Sequence, residues 1–184
     1  MHDMVSRWDR HRSRSRSVDR CRRRLGHRGS PMTDDLRAAL GEHAFFAGMD
    51  AHHLDTLASL ATWSDHRAHS WIARAGEHPD AFHAIVTGRA GIEVSTPGRD
   101  PLIVATVHAG GVVGWSWFFD RPWQFDVIAL DDVRSVAIDA NRLLDACGYS
   151  DGLREEITVR LLQVVVSRLE ATRHRLVDIY GRGS

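Results

Sequence analysis

The residues from 110 to 126, called the aromatic segment below, carry an unusual density of rings. They read GGVVGWSWFFDRPWQFD, with three tryptophans and three phenylalanines after three glycines. Aromatic rings in a glycine-bounded loop can stack on a ligand, fill a core or form an interface. The interpretation of this segment therefore decides which function the sequence supports.

Other groups suited to chemistry are sparse. The sequence contains no nucleophile elbow, no phosphate-binding P-loop and no carboxylate pair with a defined role. His78 and His83 lie five residues apart, but they lack the His-x-His and following Glu that a metal-binding jelly roll needs. We therefore predict neither a metal site nor enzymatic activity.

The composition is that of an ordinary folded domain. The 184 residues are 43% hydrophobic and 26% charged, and no apolar run approaches the roughly 20 residues of a membrane span. Cys21 and Cys147 are far apart and have no metal-type spacing, which favours a reducing compartment. We expect a cytoplasmic location without membrane association.

The net charge of zero is divided between two oppositely charged segments. Residues 1–30 hold ten arginines and three aspartates, whereas residues 31–184 hold fourteen arginines and twenty-one acidic residues. Residues 1–31 have almost no apolar content, and we predict a disordered Arg-rich tail. Three interpretations stay open: a natural start at Met32, a plain solvated tail, or a basic arm that binds phosphate-bearing partners.

Within residues 32–184, a region of predicted short strands lies between two regions with helical periodicity. Leucines recur at helical spacing between residues 34 and 61, with a break at residues 45–48. From residue 63 to 138, turn residues interrupt short apolar runs about every 8–12 residues. The predicted fold is α+β, an antiparallel β-roll or jelly roll flanked by N-terminal helices and a long C-terminal helix.

The long helix, predicted over residues 151–180 with Gly148 separating it from a shorter one, carries an apolar seam. The seam residues step alternately by three and four: Leu162, Val165, Leu169, Thr172, Leu176 and Ile179. This heptad spacing favours pairing with a second helix, and the alternative is burial against the chain's own roll. We predict a homodimer through Leu162, Val165, Leu169 and Leu176.

Four segments in this order resemble the cyclic-nucleotide-binding domain family, as found in sensor domains of the catabolite-activator type and in kinase regulatory subunits. They are residues 45–48, 72–80, 82–88 and 110–114. The resemblance covers about residues 36–180 and implies a regulatory module. The DNA-binding members carry a helix-turn-helix after the long helix, and none follows here, so sequence-specific DNA binding is not expected.

The aromatic segment departs from the pattern that the resemblance implies. In the family this region holds the cyclic phosphate with helix amides and an Arg, and a Glu accepts from the ribose 2′-hydroxyl. Here Trp115 stands in place of the Glu, and Gln124 and Phe125 stand where the Arg is expected. Arg121 comes three residues early, and Asp126 would repel a phosphate unless it pairs with Arg121.

Three interpretations of the aromatic segment stay open. Its rings fill the pocket, or they line a site for a less anionic ligand, or Arg121 and the helix amides hold a cyclic nucleotide in a variant way. Trp115 is expected at the mouth of the pocket or inside it, and Trp117 and Trp123 on the roll wall and the long helix. The candidate ligand-binding residues are Gly114, Trp115, Ser116, Arg121, Gln124 and Asp126.

The predicted function is therefore regulation. The module senses a small ligand, or has lost it, and acts through a protein partner or a change in its dimer. A cyclic nucleotide is the cofactor that the resemblance implies, but micromolar binding of cyclic AMP is not expected without the Glu and the Arg. The alternative is a structural or interaction domain without a ligand.

Overall fold

The computed structural model describes residues 31–95, 98, 100–119 and 121–181. The Arg-rich tail predicted over residues 1–31 lies outside these residues, except for Pro31, where the first helix begins.

Two helices precede the strands, as the leucine periodicity predicts. Helix α1 spans Pro31–Glu42, a 3₁₀ turn spans Ala44–Phe46, and helix α2 spans Ala51–Ser59. The side chain of Asp50 caps α2 by accepting a hydrogen bond of 2.8 Å from the backbone N–H of His52. The helical pattern extends to residue 61 in the sequence, but α2 ends at Ser59.

The strands form two four-stranded antiparallel sheets, and this confirms the predicted β-roll. The sheet orders are β1-β8-β3-β6 and β2-β7-β4-β5. In the described residues the strands are β1 (Ala61–His66), β2 (Trp71–Ala73), β3 (Ala81–Thr87), β4 (Arg89–Val94), β5 (Leu102–His108), β6 (Val112–Val113), β7 (Asp126–Ala129) and β8 (Val133–Asp139).

The roll is followed by the two predicted helices, α3 (Ala140–Tyr149) and α4 (Asp151–Gly181). Asp139 caps α3 by accepting a 2.9 Å hydrogen bond from the backbone N–H of Arg142. The break between the helices falls at Ser150, in an extended conformation, and not at the predicted Gly148, which lies within α3. The boundary prediction was therefore wrong by two residues.

Strand β3 separates two hydrophobic clusters because its side chains alternate between the two faces of its sheet. Phe82 and Ala84 pack with the helices in what we call the helical cluster. Ile85 faces the space between the two sheets, where residues from both form the roll cluster. The buried members of the roll cluster are Ala73, Ile85, Ala90, Val107, Val113, Trp123, Val127, Ala129 and Val133.

A polar network also reaches the interior of the roll. His83 is 6% exposed, and its Nδ1 lies 3.1 Å from Oγ of Ser135. Oγ of Ser64 lies 2.9 Å from Nε2 of His66, whose ring is 5.8 Å from that of His83. Burial, together with the nearby His66, lowers the pKa of His83 from 6.5 to about 4. The fold therefore holds His83 as a neutral imidazole at neutral pH.

This burial predicts a loss of stability in acid. The unfolded chain binds the His83 proton more tightly than the folded chain does. The free energy of unfolding is therefore unaffected by His83 above about pH 6.5, and it falls as the pH drops toward 4. The loss is on the order of 3 kcal/mol, since each pKa unit corresponds to about 1.4 kcal/mol. Urea unfolding at a series of pH values measures it. His83→Gln should flatten this dependence and the exposed control His108→Gln should not; an unchanged dependence in His83→Gln would contradict the assignment.

Candidate functional site

Within the aromatic segment, the chain turns after β6 at a position that only glycine fits. Gly114 has a φ of +90°, and a Cβ there would lie 2.6 Å from the carbonyl oxygen of Ala81 and 2.9 Å from the ring of Trp123. The chain then forms a 3₁₀ helix over Trp115–Phe119. Gly114 thus brings the backbone into contact with Trp123.

Trp123 lies inside the roll. Its side chain is 7% exposed and belongs to the roll cluster, in which alanines at positions 73, 90 and 129 leave room for a large ring. Its backbone N–H donates to the carbonyl of Glu77 at 2.9 Å, and its carbonyl accepts from Gly76 at 2.8 Å. The prediction that Trp123 packs on the roll wall and the long helix was wrong, because these contacts direct the ring between the sheets.

Trp117 packs in the helical cluster, on the outer side of the sheet. It is 4% exposed, and its ring meets those of Phe82 and Phe118 edge-on at 6.2 and 5.5 Å between centroids. Within the described residues, its indole N–H has no hydrogen-bond acceptor. Trp117 therefore has the role of a core residue, on the wall where it was expected.

Trp115 is half-buried beneath the long helix. Its ring packs against the helical cluster, and the guanidinium carbon of Arg168 lies 6.0 Å from the ring centroid. Nη2 of Arg168 donates to the carbonyl of Val112 at 2.5 Å, and burial lowers the pKa of this guanidinium. Trp115 therefore joins the aromatic segment to α4, whereas Trp123 belongs to the roll cluster.

The predicted ligand-binding residues do not converge on one point. Gly114, Trp115 and Ser116 are consecutive at the start of the 3₁₀ helix, and the backbone N–H of Arg121 donates to the Ser116 carbonyl at 3.3 Å. The side chains of Arg121 and Gln124 are exposed. These positions leave an exposed cation beside the short helix.

Asp126 does not pair with Arg121, the partner that the sequence suggested. Its buried carboxylate accepts from the backbone N–H of Ala75 at 2.8 Å and from Nε of Arg74 at 3.2 Å. Ser95 adds a longer contact of 3.4 Å. Arg74, rather than Arg121, therefore neutralises this carboxylate.

Sequence reasoning missed Arg74 and Arg168 as partners of the aromatic segment. Arg74 lies in the stretch 72–80 that supported the family resemblance, but nothing in its spacing indicates contact with Asp126. Arg168 lies on the predicted long helix, one residue before the seam residue Leu169, so helical periodicity places it on a neighbouring face. The position of Arg168 on a face other than the seam was the available signal that its side chain contacts the roll.

The part of the chain that the structure describes holds no group of three His, Cys, Asp or Glu side chains placed to hold a metal ion. Among the described helices, none is long and apolar enough to cross a membrane.

Comparison with known proteins gives a family and a set of similar folds. Residues 64–149 match the family Cyclic nucleotide-binding domain. A cyclic nucleotide-binding domain from Methylobacillus flagellatus superposes with a TM-score of 0.66 at 17% identity, over 79% of this chain and 83% of that one. No curated protein sequence matches this chain significantly.

Two kinase regulatory proteins share the fold. The regulatory domain of Toxoplasma gondii protein kinase A, crystallised with cAMP, gives a TM-score of 0.60 at 21% identity over 74% of this chain. The regulatory subunit of a cAMP-independent protein kinase A from Trypanosoma brucei gives 0.64 at 15% identity over 80% of this chain. This chain spans 50% and 52% of their respective lengths.

The sequence match covers the strands from within β1 to β8 and the short helix α3. The resemblance seen in the sequence is thus confirmed: residues 64–149 of this chain match the model of the cyclic nucleotide-binding domain family.

Proposed function

We propose that this chain is a regulatory module that fills the interior of its roll with its own Trp123 and acts through its long helix. The observation that carries the proposal is the burial of Trp123 in the roll cluster, with its ring against Gly114. Gly114 ends the glycine pattern after which the family holds a nucleotide. A ring in this position replaces the apolar contacts that a bound base would otherwise supply.

The charges of the aromatic segment support the same proposal. Trp115 replaces the carboxylate for the ribose, and the exposed Gln124 and Phe125 replace the cation for the phosphate. The nearby cation Arg74 is already paired with Asp126. Losing a buried charged contact costs about 2–5 kcal/mol, which weakens binding roughly 30-fold or more.

Regulation without cyclic AMP has a parallel among the similar folds. The Trypanosoma brucei regulatory subunit belongs to a kinase described as cAMP-independent, whereas the Toxoplasma gondii domain was crystallised with cAMP. The fold therefore occurs both in a domain crystallised with cAMP and in a subunit of a kinase described as independent of it. We place this chain with the second group on the basis of its own residues.

The long helix offers the surface for the output. Four of its exposed apolar side chains are spaced by three, four and three residues, namely Val159 (48%), Leu162 (59%), Val166 (51%) and Leu169 (49%), and Val177 (67%) follows eight residues later. Leu162 and Leu169 of the predicted seam face outward, but Val165 is half-buried and Val166 takes its place, while the side chain of Leu176 lies outside the description. A heptad row of this kind fits a second copy of the same helix, and we propose a homodimer.

Truncating Trp123 tests its role in the roll. Trp123→Ala should lower the free energy of unfolding by about 3–5 kcal/mol, because it leaves a large cavity between the sheets. The matched control Phe125→Ala removes a ring that is 43% exposed and should change stability by less than about 1 kcal/mol. Urea denaturation measures both. Equal, small effects would show that Trp123 does not fill the roll.

The proposed loss of the nucleotide site predicts the result of a titration. Cyclic AMP added to the wild-type chain in a calorimeter should give no saturable heat at micromolar concentrations, because the ring occupies the interior and the charged partners are missing. Cyclic GMP serves as a second nucleotide. A dissociation constant near one micromolar for either nucleotide would overturn this part of the proposal.

The dimer is tested at Leu169. Leu169→Asp would place a charge in the apolar row and should convert the dimer to a monomer in sedimentation experiments while the far-ultraviolet spectrum is unchanged. Ala171→Asp, two residues away and on the other side of the helix, is the matched control and should remain dimeric. A wild-type chain that sediments as a monomer would refute the dimer.

A further inference from the structure

A cleft separates the long helix from the turn between β5 and β6. It has a volume of about 440 Å³. One wall is a single face of α4, since its residues follow at helical steps of three, one, three and one: Arg160, Gln163, Val164, Ser167 and Arg168. The other wall consists of residues 106–112 with Ala44 and Phe45. Trp123 is not among the lining residues, so this space is distinct from the filled interior of the roll.

The two guanidinium groups in the cleft differ in how their charges are balanced. Arg160 lies 3.4 Å from the carboxylate of Glu156 and donates to the carbonyl of Ala47. Arg168 contacts the carbonyl of Val112 and the face of Trp115, and among the described residues no carboxylate lies within ion-pair distance of it. Burial lowers the pKa of Arg168, as expected for a partly desolvated cation without a counter-charge.

The remaining lining is suited to an apolar group next to an anion. None of the described lining residues is acidic. Phe45, Val107, Val112 and Val164 supply an apolar surface, and Gln163 and Ser167 supply neutral polar groups at the exposed side. The volume is within the range of about 300–1,000 Å³ that is typical of small-molecule sites.

We infer that this cleft binds a small organic anion, with its carboxylate or phosphate group paired to Arg168 and its apolar body against Phe45, Val107 and Val164. A guanidinium presents a planar fork of N–H donors that matches either anionic group, and one such donor contacts Val112. The anion would supply the counter-charge that Arg168 lacks. Because the two walls belong to the long helix and to the roll, the bound anion also links them.

The test uses three probes of similar shape. Benzoate and phenyl phosphate carry the two anionic groups on an apolar ring, and benzamide is a neutral analogue of benzoate. Calorimetry gives affinities, and the part of the tryptophan fluorescence that Trp115→Phe removes gives a local signal, because the Trp115 ring lies beneath Arg168. At least one anion should bind saturably with a change in tryptophan fluorescence, and benzamide should not; which anion binds more tightly identifies the preferred group. Failure of both anions to bind, or equal binding of benzamide, overturns the inference.

Variants locate the site. Arg168→Gln should weaken binding of the preferred anion at least tenfold, whereas Arg173→Gln, an exposed arginine on the same helix that does not line the cleft, should leave it unchanged. Ser167→Trp keeps Arg168 and fills the cleft from an exposed position, so it should also abolish binding, and it serves where Arg168→Gln does not fold. Wild-type affinity in either folded variant, Arg168→Gln or Ser167→Trp, would show that the anion binds elsewhere.

Discussion

The contact between Trp123 and the backbone at Gly114 determines how the rest of the roll is built. A side chain at position 114 would overlap both the ring and the carbonyl of Ala81, so only glycine lets the aromatic segment pass close to β3. The backbone of Trp123 forms hydrogen bonds to the backbone of Gly76 and Glu77, and these bonds fix the position from which the ring extends. Around it, small residues such as Ala90 and Ala129, paired on neighbouring strands of one sheet, leave room for the ring in the roll cluster. The interior thus packs as a core.

The long helix is held to the rest of the chain by arginines as well as by apolar packing. Arg160, Arg168 and Arg175 each donate to a backbone carbonyl outside the helix, at Ala47, Val112 and Val104 respectively. Near its start, Leu153 and Ile157 are fully buried in the helical cluster, whereas the later apolar row remains exposed. The same helix therefore packs against its own domain near its start and exposes an apolar row further along.

The fold could be predicted from the sequence because its signals are local. Leucine spacing, turn residues and the glycine pattern each depend on neighbouring positions, and they gave the helices, the strands and the family. The contacts of the aromatic segment are not local. Asp126 contacts Arg74 across 52 positions and Trp115 contacts Arg168 on a distant helix, so spacing along the chain identified neither pair. For Arg168 it indicated only that the side chain lies on a different helix face from the seam. Of the two adjacent valines, Val166 is exposed and the predicted seam residue Val165 is half-buried; the sequence could not separate them, because each lies three or four residues from both Leu162 and Leu169.

Nuclear magnetic resonance tests directly whether the ring of Trp123 occupies the space between the sheets. Nuclear Overhauser effects between the Trp123 ring protons and the α protons of Gly114 report their contact. We predict that these effects are strong and that they remain unchanged when cyclic AMP is added in excess. Their absence in the free chain, or their loss on addition of cyclic AMP, would contradict the account, because the ring would then lie outside the roll or leave it for the nucleotide.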